Sequence, residues 1–260
     1  MKCTASIIDD TLLLLTASIN PNNMPGAILD TKQRLQDYKA AFTYYLENHP
    51  RVSKILFAEN SGWPLDEIKE ISKSNPHNKQ IEFLSLDINN FPREFGKGYG
   101  ELNLITEAIN RSRLAKETRY VAKVTGRLLI TNLSQLLERV SGPLELQCDL
   151  RDHPVYEWLR LPYCGRQCDT RLIVFTPIFF AKHLEHLIAG HEQGEFCIEH
   201  KFYHTIKPID DGKNIVCRFP IEAIYSGLAG HKGKNYSGVM EIFKQTVRGL
   251  CRKTCPWFRI

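Results

Sequence analysis

Nothing in the 260 residues approaches the ~18 consecutive apolar residues that a membrane-spanning helix requires. The most apolar N-terminal patch, residues 12–15, follows Asp9 and Asp10 and runs into no small-residue cleavage site. It reads as a buried strand rather than a signal peptide. Eight cysteines without a secretory signal are expected as reduced thiols in a cytoplasmic protein. The pairs Cys164/Cys168 and Cys251/Cys255 lack the two-residue spacing of zinc ribbons, so free thiols are expected rather than structural zinc. The glycines at 227–233 are followed by no Lys-Ser/Thr pair opening a helix, which excludes a Walker loop. No recognised nucleic-acid motif occurs, and nucleic acid is not an expected partner. Internal repeats and linkers are missing too, which leaves one domain over residues 1–260.

Surplus positive charge is absent from most of the chain. Residues 227–260 carry seven Lys or Arg against Glu241 alone, a formal +6, while the remainder sums to −1. The basicity therefore needs a local explanation.

What is present is an alternation of strands and helices. A strand over 11–19 ends in Thr16-Ala17-Ser18, where the apolar run gives way to a polar loop. A helix over 30–47 follows, with Leu35, Tyr38, Phe42 and Tyr45 on one face and Arg34 placed to reach back toward that loop. Strand 52–58 closes on Glu59-Asn60-Ser61-Gly62, a short helix spans 65–72, and strand 81–86 ends at Asp87. Residues 96–132 form the organising stretch. Gly96, Gly98 and Gly100 make a glycine-rich loop, and Leu102, Ile105, Ala108 and Ile109 recur at helical spacing with Glu101 on the wet side. Strand 119–124 then exits through Lys123, Thr125 and Arg127. Four such β–α repeats predict a doubly wound, mostly parallel sheet flanked by helices, with ligands in the crevice beyond the carboxyl ends of its strands.

The second half is less regular. Strands are expected over 144–150, over 172–175 and, at an edge, over 215–219. A helix ends near Ala189, a short apolar element spans 194–198, and a last helix over 239–252 sets Val239, Phe243, Val247 and Leu250 on one side.

This order of features resembles a nucleotide-diphospho-sugar glycosyltransferase of the GT-A type, especially the bacterial enzymes of capsule and lipopolysaccharide assembly. Thr16-Ala17-Ser18, Glu59-Asn60-Ser61-Gly62 and the 96–112 segment followed by 120–124 carry the resemblance. It implies a single GT-A-like, Rossmann-like domain, with a nucleotide-sugar-binding half over 1–132 and an acceptor half over 133–260. It further implies a nucleotide-sugar donor and a glycan or lipid-linked acceptor. Thr16, Ser18, Arg34, Glu59, Asn60 and Gly98 are the donor-binding positions it suggests. A nucleotidyltransferase and a non-catalytic anion-binding module are the rival classes.

In that family the strand at 120–124 would deliver an Asp-x-Asp motif to hold a metal. Here Thr125-Gly126-Arg127 stands in its place. Lys123 and Arg127 cannot hold a metal, yet they can neutralise phosphate themselves, or they pair with acids on neighbouring strands. No cofactor is then required, although Mn²⁺ or Mg²⁺ is not excluded. Asp149 and Asp152 are the fallback metal pair, or else an ordinary ion pair and a turn-initiating Asp.

Glu199 is the candidate general base for an acceptor hydroxyl, with His200 and Tyr203 as acceptor contacts, or it is a structural acid paired with Lys201 or Lys207. His231, Lys232 and Lys234, among the glycines of the 227–234 loop, suit a diphosphate or a solvated surface. The basic segment 244–260, with Trp257 and Phe258, suits an anionic membrane surface and a peripheral place on its inner face, or a docked helix with a solvated side.

Overall fold

Strand β1, Thr11–Ala17, is buried along its whole length, as a strand covered on both faces must be. The computed structural model describes residues 6–25, 27, 30–140, 142–152, 158, 165–226 and 239–255, the side chains of the last segment from 245 onward. Helix α1, Thr31–Glu47, starts where Asp30 accepts hydrogen bonds from the amides of Lys32 and Gln33, satisfying two donors that a helix start leaves open. Strand β2 (Lys54–Glu59), helix α2 (Asp66–Ile71) and strand β3 (Gln80–Ser85) follow. Helices α3 (Gly96–Arg111) and α4 (Arg113–Lys116) lead into β4 (Tyr120–Thr125). The glycine-rich segment is thus the first turn of α3 rather than a loop before it.

Beyond β4 come β5 (Leu129–Ile130), α5 (Leu133–Arg139), β6 (Leu146–Gln147), β7 (Leu150–Asp152), β8 (Arg166–Cys168) and β9 (Leu172–Phe175). Helices α6 (Pro177–His183) and α7 (Ile198–Ile206), strands β10 (Ile215–Val216) and β11 (Tyr225–Ser226), and helix α8 (Val239–Thr254) complete the chain. The strand expected over 144–150 is split: β6 belongs to the main sheet, and β7 pairs with β8 in a separate ribbon. The apolar residues near 194–198 lead into α7, which the short run did not reveal.

The main sheet has seven strands in the order β10-β6-β9-β4-β1-β2-β3. β1 pairs in parallel with both β2 and β4, whereas β9 runs antiparallel to β4 and to β6. The mostly parallel α/β architecture expected from the repeats is what the chain adopts. β1, β2 and β3 are laid down in one direction, and β4 then returns to the other side of β1. The order reverses between β1 and β4, the topological switch point where open α/β sheets bind ligands.

Period-two alternation divides the core into two layers. Leu13, Leu15, Ile55, Phe57, Ala122 and Val124 pack with α1 and α5. Leu12, Leu14, Leu56, Val121, Ile173 and Phe175 pack with α3, α6 and α7. Lys123 falls in step with Val121 and so lies on the α3 side.

Candidate functional site

At the carboxyl ends of β1 and β4 the chain turns sharply. The Gly126 amide donates to Thr16 O at 2.9 Å, and a Cβ there would sit 2.6 Å from that same oxygen. Only glycine permits this approach. The turn is held from below by Tyr45 of α1, whose hydroxyl donates to Leu128 O at 2.8 Å and accepts from the Ile130 amide at 2.9 Å. Arg127 is carried on this turn. It lines a cavity of about 300 Å³ together with Thr16, Ser18, Arg34, Asn60, Gly98 and Thr125.

The cavity also takes Lys97, Glu101, Arg171 and Glu199 into its wall. Gly98 explains why Glu199 is there: its Cβ would lie 2.3 Å from Phe196 O. The first turn of α3 therefore packs directly on the segment that opens α7, and Glu199 in the first turn of α7 reaches the same space as Arg127. The amides of the α3 first turn, unpaired within the helix, add their partial positive charge near Lys97 and Gly98.

The electrostatics are lopsided. Arg34 is 4% exposed; its guanidinium donates to Ser18 O, Nε at 2.7 Å, as the reach of its helix position suggested. Burial lowers the pKa of Arg34, and the nearby Arg127 lowers it further. Lys97 is lowered by burial, then by Arg127 and Arg34. Three cations thus converge and repel one another. Nε and Nη1 of Arg127 are buried with no hydrogen-bond partner, and buried guanidinium donors left unmade are costly. The same cavity is lined by Glu199, whose pKa is raised by burial and secondarily by Glu101.

Two residues expected in the donor site are spent on the structure beneath it. Lys123 is fully buried and ion-paired with Glu101; its Nζ also donates to Thr170 O at 2.6 Å and faces Thr125 Oγ1 at 3.4 Å. Strand alternation turned it toward α3, so its partner is a helix acid and not one on a neighbouring strand. Glu101, expected on the wet side, is 23% exposed and lines the cavity. Glu59 is fully buried. Its carboxylate accepts from the amides of Ile19, Ser61 and Trp63 and from the Ser61 hydroxyl, tying the loops after β1 and β2 together. Burial raises its pKa. Neither side chain is among the cavity's lining residues, but Glu59 positions Asn60, whose Oδ1 is buried without a partner.

The acceptor candidates lie away from the cavity. Tyr203 is buried and donates to Asp152 Oδ2 at 2.9 Å, and His200 faces Gln167 Nε2 at 3.4 Å. Asp152 also meets Arg166 and Lys207, each at 3.8 Å. Asp149 accepts both Nη atoms of Arg252, at 3.0 and 2.9 Å, and the Phe219 amide at 2.8 Å. The fallback metal pair is therefore two separately neutralised acids. Among the described residues no group of three His, Cys, Asp or Glu is placed to hold a metal ion.

Arg252 is 10% exposed and turned inward, which removes it from any membrane-facing set, while Leu250 of the expected buried face is 60% exposed. Among the described residues no helix is long and apolar enough to cross a membrane. His231, Lys232, Lys234, Trp257, Phe258 and Arg259 lie outside the described residues. Among the described residues Cys148, Cys168, Cys197, Cys217, Cys251 and Cys255 are free thiols.

Lys97, Glu101 and Arg171 were missed as cavity residues. Lys97 carried a signal, since it sits between two of the three glycines that drew attention to the segment. Arg171 carried none: it arrives through the antiparallel β9, with Asp169 as its ion partner.

No protein-family model matches the chain, and no curated protein matches it in sequence. Among solved structures it is similar to the inositol-1-phosphate CTP transferase from T. maritima, at 12% identity and a TM-score of 0.48, covering 95% of this chain and 98% of that one. It is also similar to a cytidylyltransferase from Leptospira borgpetersenii serovar Hardjo-bovis, at 13% identity and a TM-score of 0.37 over 66% of this chain and 63% of that one. The bifunctional glycosyltransferase WbbM gives 10% identity and a TM-score of 0.37 over 69% of this chain and 33% of that one. The chain thus spans less than two thirds of the length of the latter two proteins, and at these identities and scores none of the three likenesses bears on its chemistry.

Proposed function

We propose that the chain transfers a sugar from a nucleotide-diphospho-sugar donor to a glycan or lipid-linked acceptor, with basic side chains in place of a divalent metal at the departing diphosphate. One observation carries this reading: Arg127, with two unpartnered buried nitrogens, and Glu199, with a raised pKa, share one cavity at the switch point of the sheet. A diphosphate supplies the acceptor oxygens that Arg127 lacks and relieves the repulsion among Arg34, Lys97 and Arg127. Unpaired Asn60 Oδ1 offers an acceptor to a base or ribose donor.

In the transfer step the acceptor oxygen forms its bond to the anomeric carbon and gives its proton to Glu199. The bond from that carbon to the diphosphate oxygen breaks, leaving the electron pair on the diphosphate, where Arg127 and Lys97 meet the growing charge. A raised proton affinity suits a carboxylate that must take a proton from a hydroxyl. Glu101 does not compete for that role, because Lys123 holds it. The same commitment weakens a nucleotidyl-transfer reading, which calls for a pair of carboxylates to hold Mg²⁺.

Thermal-shift titration with UDP and GDP sugars in the presence of EDTA tests the proposal. One of these donors is expected to stabilise the protein without metal, and Glu199→Gln is expected to keep that binding while losing turnover. Failure of all of them to bind would overturn the donor class. Turnover abolished by EDTA and restored by Mn²⁺ or Mg²⁺ would overturn the metal-free mechanism.

A further inference from the structure

Glu199 is held at the cavity by more than its place on α7. Cys197, at the N-cap of that helix, donates its thiol proton to Glu199 Oε2 at 3.5 Å. The cysteine is half-buried and is not among the residues lining the cavity, so it meets the carboxylate from behind the cavity wall. Its backbone is pinned on both sides by the start of α3. The Phe196 amide donates to Phe95 O at 2.8 Å, and a Cβ at Gly98 would lie 2.3 Å from Phe196 O and 2.8 Å from the Ile198 amide nitrogen. Cys197 sits between these contacts, and the fold aims its sulfur.

The choice of a thiol has a chemical consequence. Hydrogen bonding to an ionised carboxylate lowers its pKa, and a thiol, as a weak donor, does so least. A carboxylate held in this way is oriented yet keeps the proton affinity that a general base needs. Burial is the largest influence on Glu199 and raises its pKa; Glu101 of α3 raises it further, while Lys123 of β4 lowers it. The carboxylate acts back on its neighbour. Burial first, with the fields of Glu199 and Glu195 added, pushes the Cys197 thiol up to about 11, so it stays a proton donor at neutral pH.

We propose that Cys197 is a positioning residue for Glu199, its thiol fixing Oε2 and turning the other carboxylate oxygen toward the acceptor hydroxyl. The assignment rests on the transfer reading above, which gives Glu199 a proton to take.

Alkylation of the full chain by iodoacetamide, followed peptide by peptide with mass spectrometry, tests the contact without donor or acceptor. Glu199→Gln removes the charge that keeps the thiol protonated, so Cys197 is expected to react about threefold faster or more near pH ~8.5. Cys148, buried in the core, should stay unmodified as long as the fold holds. In turnover of the UDP or GDP sugar that binds, Cys197→Ala is expected to lower kcat by about 3- to 10-fold with KM for the donor unchanged, and to move the ascending limb of kcat to higher pH. Cys197→Ser, which keeps a donor, should recover most of kcat with a limb below the wild-type position. Equal alkylation rates, or a limb unmoved in both variants, would overturn the positioning role and leave the transfer reading intact. Faster alkylation with no turnover of either sugar nucleotide would overturn the transfer reading, and the role of Cys197 with it. The alkylation comparison holds even if a Cys197 variant fails to fold.

Discussion

Two regions of this molecule are rich in arginine, and they are built to opposite ends. Under α8, Arg252 is gripped by Asp149 and Glu222, and Asp169 holds Arg151 and Arg171. Carboxylates fill the space between the cations, and about 10 Å³ remains. At the switch point of the sheet, Arg34, Lys97 and Arg127 border some 300 Å³; of the two acids of that wall, Glu101 is held by Lys123, and burial raises the pKa of Glu199. Positive charge alone does not make a ligand site. The decisive features are room and, for Arg127, guanidinium nitrogens that no described group accepts from, because a paired guanidinium has already exchanged its water for protein oxygens.

Substitutions can break that contrast, and the largest effect is expected under α8. Arg252→Ala leaves Asp149 and Glu222 buried without their cation and should cost about 3–5 kcal/mol in urea unfolding. An unchanged midpoint would mean that α8 is not anchored there. Lys123→Met should come next, at about 3 kcal/mol; the value falls at the low end because Glu101, 23% exposed, regains some water. Here the same experiment separates two residues that look alike in sequence. Arg127→Ala should leave stability within about 0.5 kcal/mol, since no protein group loses a hydrogen bond.

Its effect belongs to the ligand instead. Isothermal titration of the Arg127→Ala protein with the donor that binds should show Kd raised by about 10- to 100-fold. Arg127→Lys should recover only part of the affinity, because a point charge lacks the two-pronged geometry. A destabilised Arg127→Ala protein with normal affinity would reverse the assignments of the two regions.

The smallest expected effect is on pH dependence. Burial first, and Glu101 second, raise the pKa of Glu199, so transfer should rise with pH along a limb lying above the ordinary carboxylate range. Glu101→Gln removes the neighbouring negative charge and frees Lys123, and both changes favour ionised Glu199. The limb should therefore move to lower pH in a kcat profile. A limb that stays in place would detach Glu101 from the site.

Much of the frame is legible in the residues. The apolar runs of β1, β2 and β4 announce strands buried on both faces, and the Leu35, Tyr38, Phe42 and Tyr45 stripe announces α1. The carboxyl-end positions of Thr16, Thr125 and Arg127 follow from those strands. Other elements resist such reading for physical reasons. Gly96, Gly98 and Gly100 argue against a helix locally, yet Gly98 is required because α3 lies on the Phe196 carbonyl. The apolar stripe of α8 points to a buried face, while Arg252 on another face makes the contact, since Asp149 and Glu222 accept its hydrogen bonds.

The sequence by itself determined which segments form the first four strands and which residues sit at their ends, because periodicity and turn chemistry are local properties. It could not determine which cation would be left without a partner. Lys123 and Arg127 stand four positions apart on one strand and its exit turn. The first meets Glu101 of α3 and a carbonyl 47 residues away, and the second meets no described group with its Nε and Nη1. Arg252 finds its acid 103 residues away. Only the tertiary structure decided these outcomes, because neutralising a buried charge depends on which distant oxygen the fold brings within about 3 Å of it.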